Sequence, residues 1–227
     1  MQLFFIRHGE SQNNQLWRQT QSEEGRSEDP DLTDMGHQQT QIVADFLAAN
    51  QEEFAFTHIY TSLMLRAVRT AQPIAQKLNL PLIAWPEIHE GGGIYLKNEE
   101  TGERSGLPGN SRSFFEVQFP DLGLPDWLGE NGWWNRPHEE RAQTSIRAQT
   151  VLLELKRRHA ENKDHVAFVS HGGFYNYILN VLMHKTQRDD YWFELSNTGI
   201  SRIDFREDRT VFLYLNRRDF LPKELIT

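Results

Sequence analysis

The 227-residue sequence contains no cysteine. Disulfides and thiolate-bound metals are therefore excluded, and a reducing compartment fits. No apolar run is long enough to span a bilayer, and the short apolar stretch near the start lacks the basic flank of a signal peptide. Positive charge is in deficit, with 24 Lys and Arg against 32 Asp and Glu. That balance argues against broad attraction to nucleic acid, so an anionic ligand would have to be drawn by a local cluster of Arg and His. Internal repeats and low-complexity segments are also missing. The expectation is a cytoplasmic protein without nucleic-acid or membrane partners. Its length predicts one α/β domain over 1–227 with an elaborated insertion. Composition fixes nothing about oligomeric state.

Two strand ends carry the chemistry that is present. Leu3-Phe4-Phe5-Ile6 reads as a strand buried on both faces, and it stops at Arg7, His8 and Gly9. Far downstream, His165-Val166-Ala167-Phe168-Val169-Ser170 ends in the same manner, at His171, Gly172 and Gly173. In an open α/β sheet, ligands bind at the carboxyl ends of strands, so two strand-end histidines predict a shared site. Ser11, Asn13 and Asn14 suit a helix cap or an anion contact.

Between these ends, 15–31 is polar and aperiodic and reads as a loop. Thr33 or Asp34 opens a helix whose apolar stripe is Ile42, Val43, Phe46 and Leu47. Phe54 to Tyr60 reads as a strand, Ser62 as the cap of the next helix, and Arg66 as a residue early in that helix, on the same edge as His8. Pro81 to Trp85 reads as a third strand, followed by two candidate acids, Glu87 and Glu90. The segment Gly91 to Pro137 mixes Gly, Pro and Asn breakers with Phe114, Phe115, Phe119, Trp127, Trp133 and Trp134. It is too aromatic for a disordered linker and too interrupted for one helix. We read it as an insertion packed over the site, a lid or substrate wall, in which Arg104, Arg112 and Arg136 are either ordinary surface charges or contacts to a second anionic group. Glu139 to Ala160 has Ile146, Val151, Leu152 and Leu155 at helical spacing. Phe174 to Leu182 is a further helix, its N-terminus directed at a bound anion. Strands over 197–203 and 211–215 finish the chain.

Arg7-His8-Gly9-Glu10 after a first strand, with Ser170-His171-Gly172-Gly173 after a late one, resembles the histidine phosphatase superfamily, which includes the cofactor-dependent phosphoglycerate mutases. Leu32-Thr33 with Gly36 is similar to a further family element, and so is Ser62 with Arg66, Thr70 and Ala71. The resemblance covers nearly the whole chain and implies a three-layer α/β/α sandwich with a mostly parallel central sheet. It also implies that His8 is the nucleophile, that Arg7, Arg66 and His171 hold the phosphoryl group, and that Glu90 is a better match than Glu87 for the proton donor. Asn14 and Thr20 stand where family members contact phosphate or substrate, and Gly172, which opens the late helix, is read as a further phosphate contact.

The chemistry these residues suit is phosphoryl transfer to an imidazole, which divides one difficult displacement into two easier ones. His8 would attack while Glu90 protonates the leaving oxygen, and Glu90 would then activate water. Arg7 and Arg66 can each grip phosphate oxygens through paired N–H donors. The scheme calls for no cofactor and no metal, and the two histidines lack the close pairing of a metal motif. A small phosphorylated ligand is the expected partner. The insertion lacks the adjacent arginine pair of true phosphoglycerate mutases, which favours a phosphatase over a mutase. A catalytically silent module that binds phospho-ligands is the third reading.

Overall fold

The computed structural model describes residues 1–185 and 191–227. A seven-stranded sheet organises them. Its strands in chain order are β1 (Gln2–Arg7), β2 (His58–Thr61), β3 (Leu82–Ala84), β6 (Leu122–Gly123), β7 (His165–Ser170), β8 (Ile200–Phe205) and β9 (Thr210–Arg217), while β4 (Tyr95–Lys97) and β5 (Arg104–Gly106) form a separate hairpin. Across the sheet the order is β6-β3-β2-β7-β1-β8-β9. The five strands from β6 to β1 are parallel, and β8 and β9 run antiparallel at one edge. The sheet is mostly parallel, as the sequence predicts.

Residue alternation along β1 and β7 makes the three layers. Phe4, Ile6, Ala167 and Val169 pack with α2 (Asp34–Ala49) and α4 (Leu65–Leu78) on one face. Leu3, Phe5, Val166 and Phe168 pack with α6 (Arg141–His159) and α7 (Gly172–Leu182) on the other. Strands covered on both faces must be apolar throughout, and Leu3 to Ile6 are all fully buried. No helix among the described residues is long and apolar enough to cross a membrane.

Several local expectations need correction. The stretch read as a loop from residue 15 is helical at its start: α1 spans Gln12–Thr20, held by a reciprocal cap in which Ser11 and Asn14 exchange hydrogen bonds. It buries no side chain, so hydrophobic periodicity carries no sign of it. Phe54 lies in a short helix, α3 (Gln51–Phe54), and β2 begins only at His58. Ile146 is exposed, so the buried stripe of α6 is Ala148, Val151, Leu152 and Leu155.

The segment 91–137 is divided between two tasks. Its β6 extends the main sheet beyond β3, and Phe115 and Phe119, from α5 (Arg112–Gln118) and its end, join the same core as Val68 and Ile74. Trp133 and Trp134 are buried there too. The buried side chains of the segment build core. Arg112 is engaged internally, donating to the carbonyls of Leu128 and Pro125, and Arg136 stacks 3.9 Å above the Trp134 ring.

Candidate active site

The carboxyl ends of β1 and β7 lie side by side, so Arg7 pairs with Ser170 in register and His8 follows one strand as His171 follows the other. The two imidazoles stand 5.1 Å apart between ring centroids. Beneath His8, the Asn197 side-chain amide donates to its carbonyl at 2.8 Å, and the Thr70 hydroxyl accepts from the Gly9 amide at 3.0 Å. Gly9 is required by space: a Cβ there would stand 2.6 Å from the Gly36 carbonyl oxygen.

The His8 ring is held in one tautomer. Its Nδ1 lies 2.7 Å from the Gly9 carbonyl, which can only accept, so the proton sits on Nδ1 and the lone pair on Nε2. The Arg66 Nε–H donates to that lone pair at 3.2 Å. Burial first, then the charges of Arg66 and Arg7, hold His8 well below the ordinary imidazole pKa. A neutral, oriented imidazole is the form that attacks phosphorus.

His171 is fully buried behind the site, and the Ser62 hydroxyl meets its Nε2 at 2.7 Å. Burial, with the Arg66 charge next, holds this ring well below its ordinary pKa as well. Ser62 is not the N-cap of α4, which is Met64; its hydroxyl meets His171 and accepts from the Met64 amide at 3.4 Å.

Arg66 is buried and Arg7 half-buried. Arg7 donates from Nη1 to the Leu195 carbonyl at 2.7 Å, while its Nε has no partner among the described residues. Burial, the largest influence, lowers its pKa to about 10, so it stays charged at neutral pH. Arg66 is steadied by Asp29, a residue that sequence reasoning missed, whose carboxylate lies 3.8 Å from Nη1. Asp29 also accepts from the Leu65 amide and from Asn110. Nothing local in the sequence marks it, because it stands 37 residues before Arg66 in a stretch without periodicity.

Glu90 lines the cavity, whereas Glu87 lies on a separate surface beside Trp127 and Arg158. The Glu90 carboxylate accepts from the amides of Gly91 (2.9 Å), Gly173 (3.0 Å) and Phe174 (2.7 Å). The first turn of α7 therefore holds this carboxyl group through the Gly173 and Phe174 amides. Gly172 remains on the cavity wall beside Arg7. Asn14 lies there too, its side-chain oxygen accepting from Asn197 at 3.2 Å. Thr20 does not reach the cavity: it is exposed and its hydroxyl donates to the Leu16 carbonyl.

These groups line a cavity of about 450 Å³. From the segment 91–137 only Gly91 and Tyr95 reach it, and Arg104, Arg112 and Arg136 do not. The remaining wall comes from α1 and the turns after it, through Leu16, Trp17, Glu23 and Arg26, and from Trp192, Phe193 and Leu195. A buried nucleophilic nitrogen between two guanidiniums, with a carboxyl group on the same wall, can take a phosphoryl group and handle the protons around it.

Comparison with known proteins agrees. Residues 3–218 match the model of the histidine phosphatase superfamily (branch 1). "Probable phosphoglycerate mutase GpmB" of Yersinia enterocolitica is 26% identical over 207 residues, which cover 91% of this chain and 86% of that protein. Among solved structures, phosphoserine phosphatase from Entamoeba histolytica superposes with a TM-score of 0.64 at 24% identity, covering 97% of this chain and 99% of that one. The alpha-ribazole phosphatase from Shigella flexneri gives 0.64 at 20% identity, with 96% of each chain covered. At such identities these two likenesses show a shared fold. The family match spans both histidine motifs and nearly everything between and around them, so the chain belongs to the histidine phosphatase superfamily.

Proposed function

We propose that the protein is a phosphatase that hydrolyses a small phosphate monoester through a phosphohistidine intermediate on His8. The observation that carries this reading is the state of the His8 ring, its proton fixed on Nδ1 by the Gly9 carbonyl and its Nε2 lone pair addressed by Arg66. Nε2 attacks phosphorus and the ester P–O bond breaks, while Arg7 and Arg66 take the charge on the phosphoryl oxygens. The departing oxygen receives a proton from Glu90. In the second step Glu90 accepts a proton from water, the water oxygen bonds to phosphorus, and the P–N bond breaks. Three backbone N–H groups hold this carboxyl group in place through both steps.

Hydrolysis is favoured over mutase chemistry because no two arginines are adjacent in 91–137, and none of its three arginines lines the cavity. The scheme requires no metal. The test is hydrolysis of p-nitrophenyl phosphate with a chelator present, wild type against His8→Ala, alongside an isomerisation assay on 3-phosphoglycerate. Chelator-resistant hydrolysis that vanishes in His8→Ala is the expected result. Equal activity in the variant would sink the mechanism, and isomerisation without hydrolysis would replace the phosphatase with a mutase.

A further inference from the structure

The phosphate-binding floor of the cavity accounts for Arg7, His8, Arg66 and Glu90, but not for its rim. Two indoles stand there in the open: Trp17 is 51% exposed and Trp192 is 67% exposed. Leu16 and Phe193 continue the same wall. Single exposed apolar side chains are ordinary, whereas several on one cavity wall mark a surface that covers an apolar partner. Tyr95 also lines the cavity and is held in place by Arg26, whose guanidinium lies 4.1 Å above the ring and whose Nη1 donates to the Tyr95 carbonyl at 3.0 Å.

The charges at this rim point away from a compact, doubly anionic substrate. Arg7 and Arg66 are committed to the phosphoryl group. Arg26, the third cation on the wall, is engaged on both the ring and the carbonyl of Tyr95, and Glu23 lies on the same wall. A carboxylate held beside the phosphate would meet indole faces and a negative side chain. We infer that the alcohol part of the substrate is a planar apolar body, an aromatic or heteroaromatic ring system, stacked against Trp17 and Trp192. This inference rests on the phosphatase reading and assigns the specificity of that same site.

The test compares 2-(1-naphthyl)ethyl phosphate with phosphoserine and ethyl phosphate. All three are esters of primary alcohols, so ring stacking is not confused with an easier leaving group. The expected kcat/KM favours the naphthyl ester by about tenfold or more, in line with the worth of aromatic stacking. Trp17→Ala and Trp192→Ala reduce that ratio chiefly by raising KM for the naphthyl ester. A ratio near one, a preference for phosphoserine, or a preference that both variants retain would overturn the inference. If no ester is hydrolysed, the phosphatase reading fails. Calorimetric binding of 2-(1-naphthyl)ethylphosphonate against ethylphosphonate then decides the specificity separately: roughly tenfold tighter binding supports it, and equal affinities overturn it.

Discussion

Arg66 performs three tasks with one guanidinium: it addresses the His8 lone pair, leans on Asp29, and contacts the Met64 sulfur. A lysine has one compact donor group and no planar fork, so it cannot maintain these directions together. Arg66→Lys is expected to lower kcat/KM by about a hundredfold to a thousandfold, the usual cost of one charge-stabilising donor, with an unchanged circular dichroism spectrum. Asp29 gives a second, pH-dependent expectation. Burial outweighs the attraction of Arg66 and raises its carboxyl from the ordinary 3.8 to about 6. The unfolded chain releases that proton at lower pH than the native state does, so between those values the native state binds more protons and stability falls as pH rises. Asp29→Asn has no such proton. Urea unfolding should show the variant gaining on the wild type as pH rises through that window to 7, and a pH-independent difference would contradict the placement of Asp29. His8, His171 and Arg66 were legible in the sequence because each follows a strand end that its own neighbours announce. Asp29 and Asn197 were not, since they reach the site only through the tertiary path of loops.

At the scale of elements, the junction of Glu90 with α7 is the most exposed to a small change. A Cβ at Gly173 would lie 2.4 Å from the Glu90 carboxylate oxygen, the far end of a flexible side chain. Gly173→Ala should swing Glu90 out of place and cost about a hundredfold or more in kcat, the range for losing a positioned acid–base group, with little change in melting temperature. Gly36 offers the contrast. A Cβ there would stand 2.1 Å from the Glu10 backbone carbonyl oxygen, which has nowhere to go. Gly36→Ala should therefore lose stability, measured by thermal unfolding, rather than chemistry alone. Apolar patterning revealed the central strands, as continuous runs, and the helices that pack on them, as helical spacing. It was silent on α1, which buries nothing, and misleading on Ile146, whose spacing fits the stripe while its face points to solvent. The Ser62 hydroxyl could not be told from a cap without knowing that His171 sits beside it.

For the whole molecule, the segment 91–137 is the instructive case. Its aromatic content correctly announced packing, but the destination was an extension of the central core, because an edge strand needs a partner strand that local sequence does not name. Phe115→Ala should destabilise the entire chain by about 3–5 kcal/mol in a single urea transition. A separate early transition confined to this segment would contradict the shared core. The strand order carries one more consequence, for synthesis. On its way from the ribosome the chain makes β1 first, yet the neighbours of β1 in the sheet are β7 and β8, whose residues begin at 165 and 200. Leu3 to Ile6 must therefore wait through most of translation with their hydrogen-bonding edges unpaired and the Leu3 and Phe5 face without α6 and α7, the condition that invites aggregation and chaperone capture. His8, the nucleophile of the proposed mechanism, is made well before β7 and β8 and is seated only after them, so under that mechanism a nascent chain cannot act on a phosphate ester until those strands have emerged.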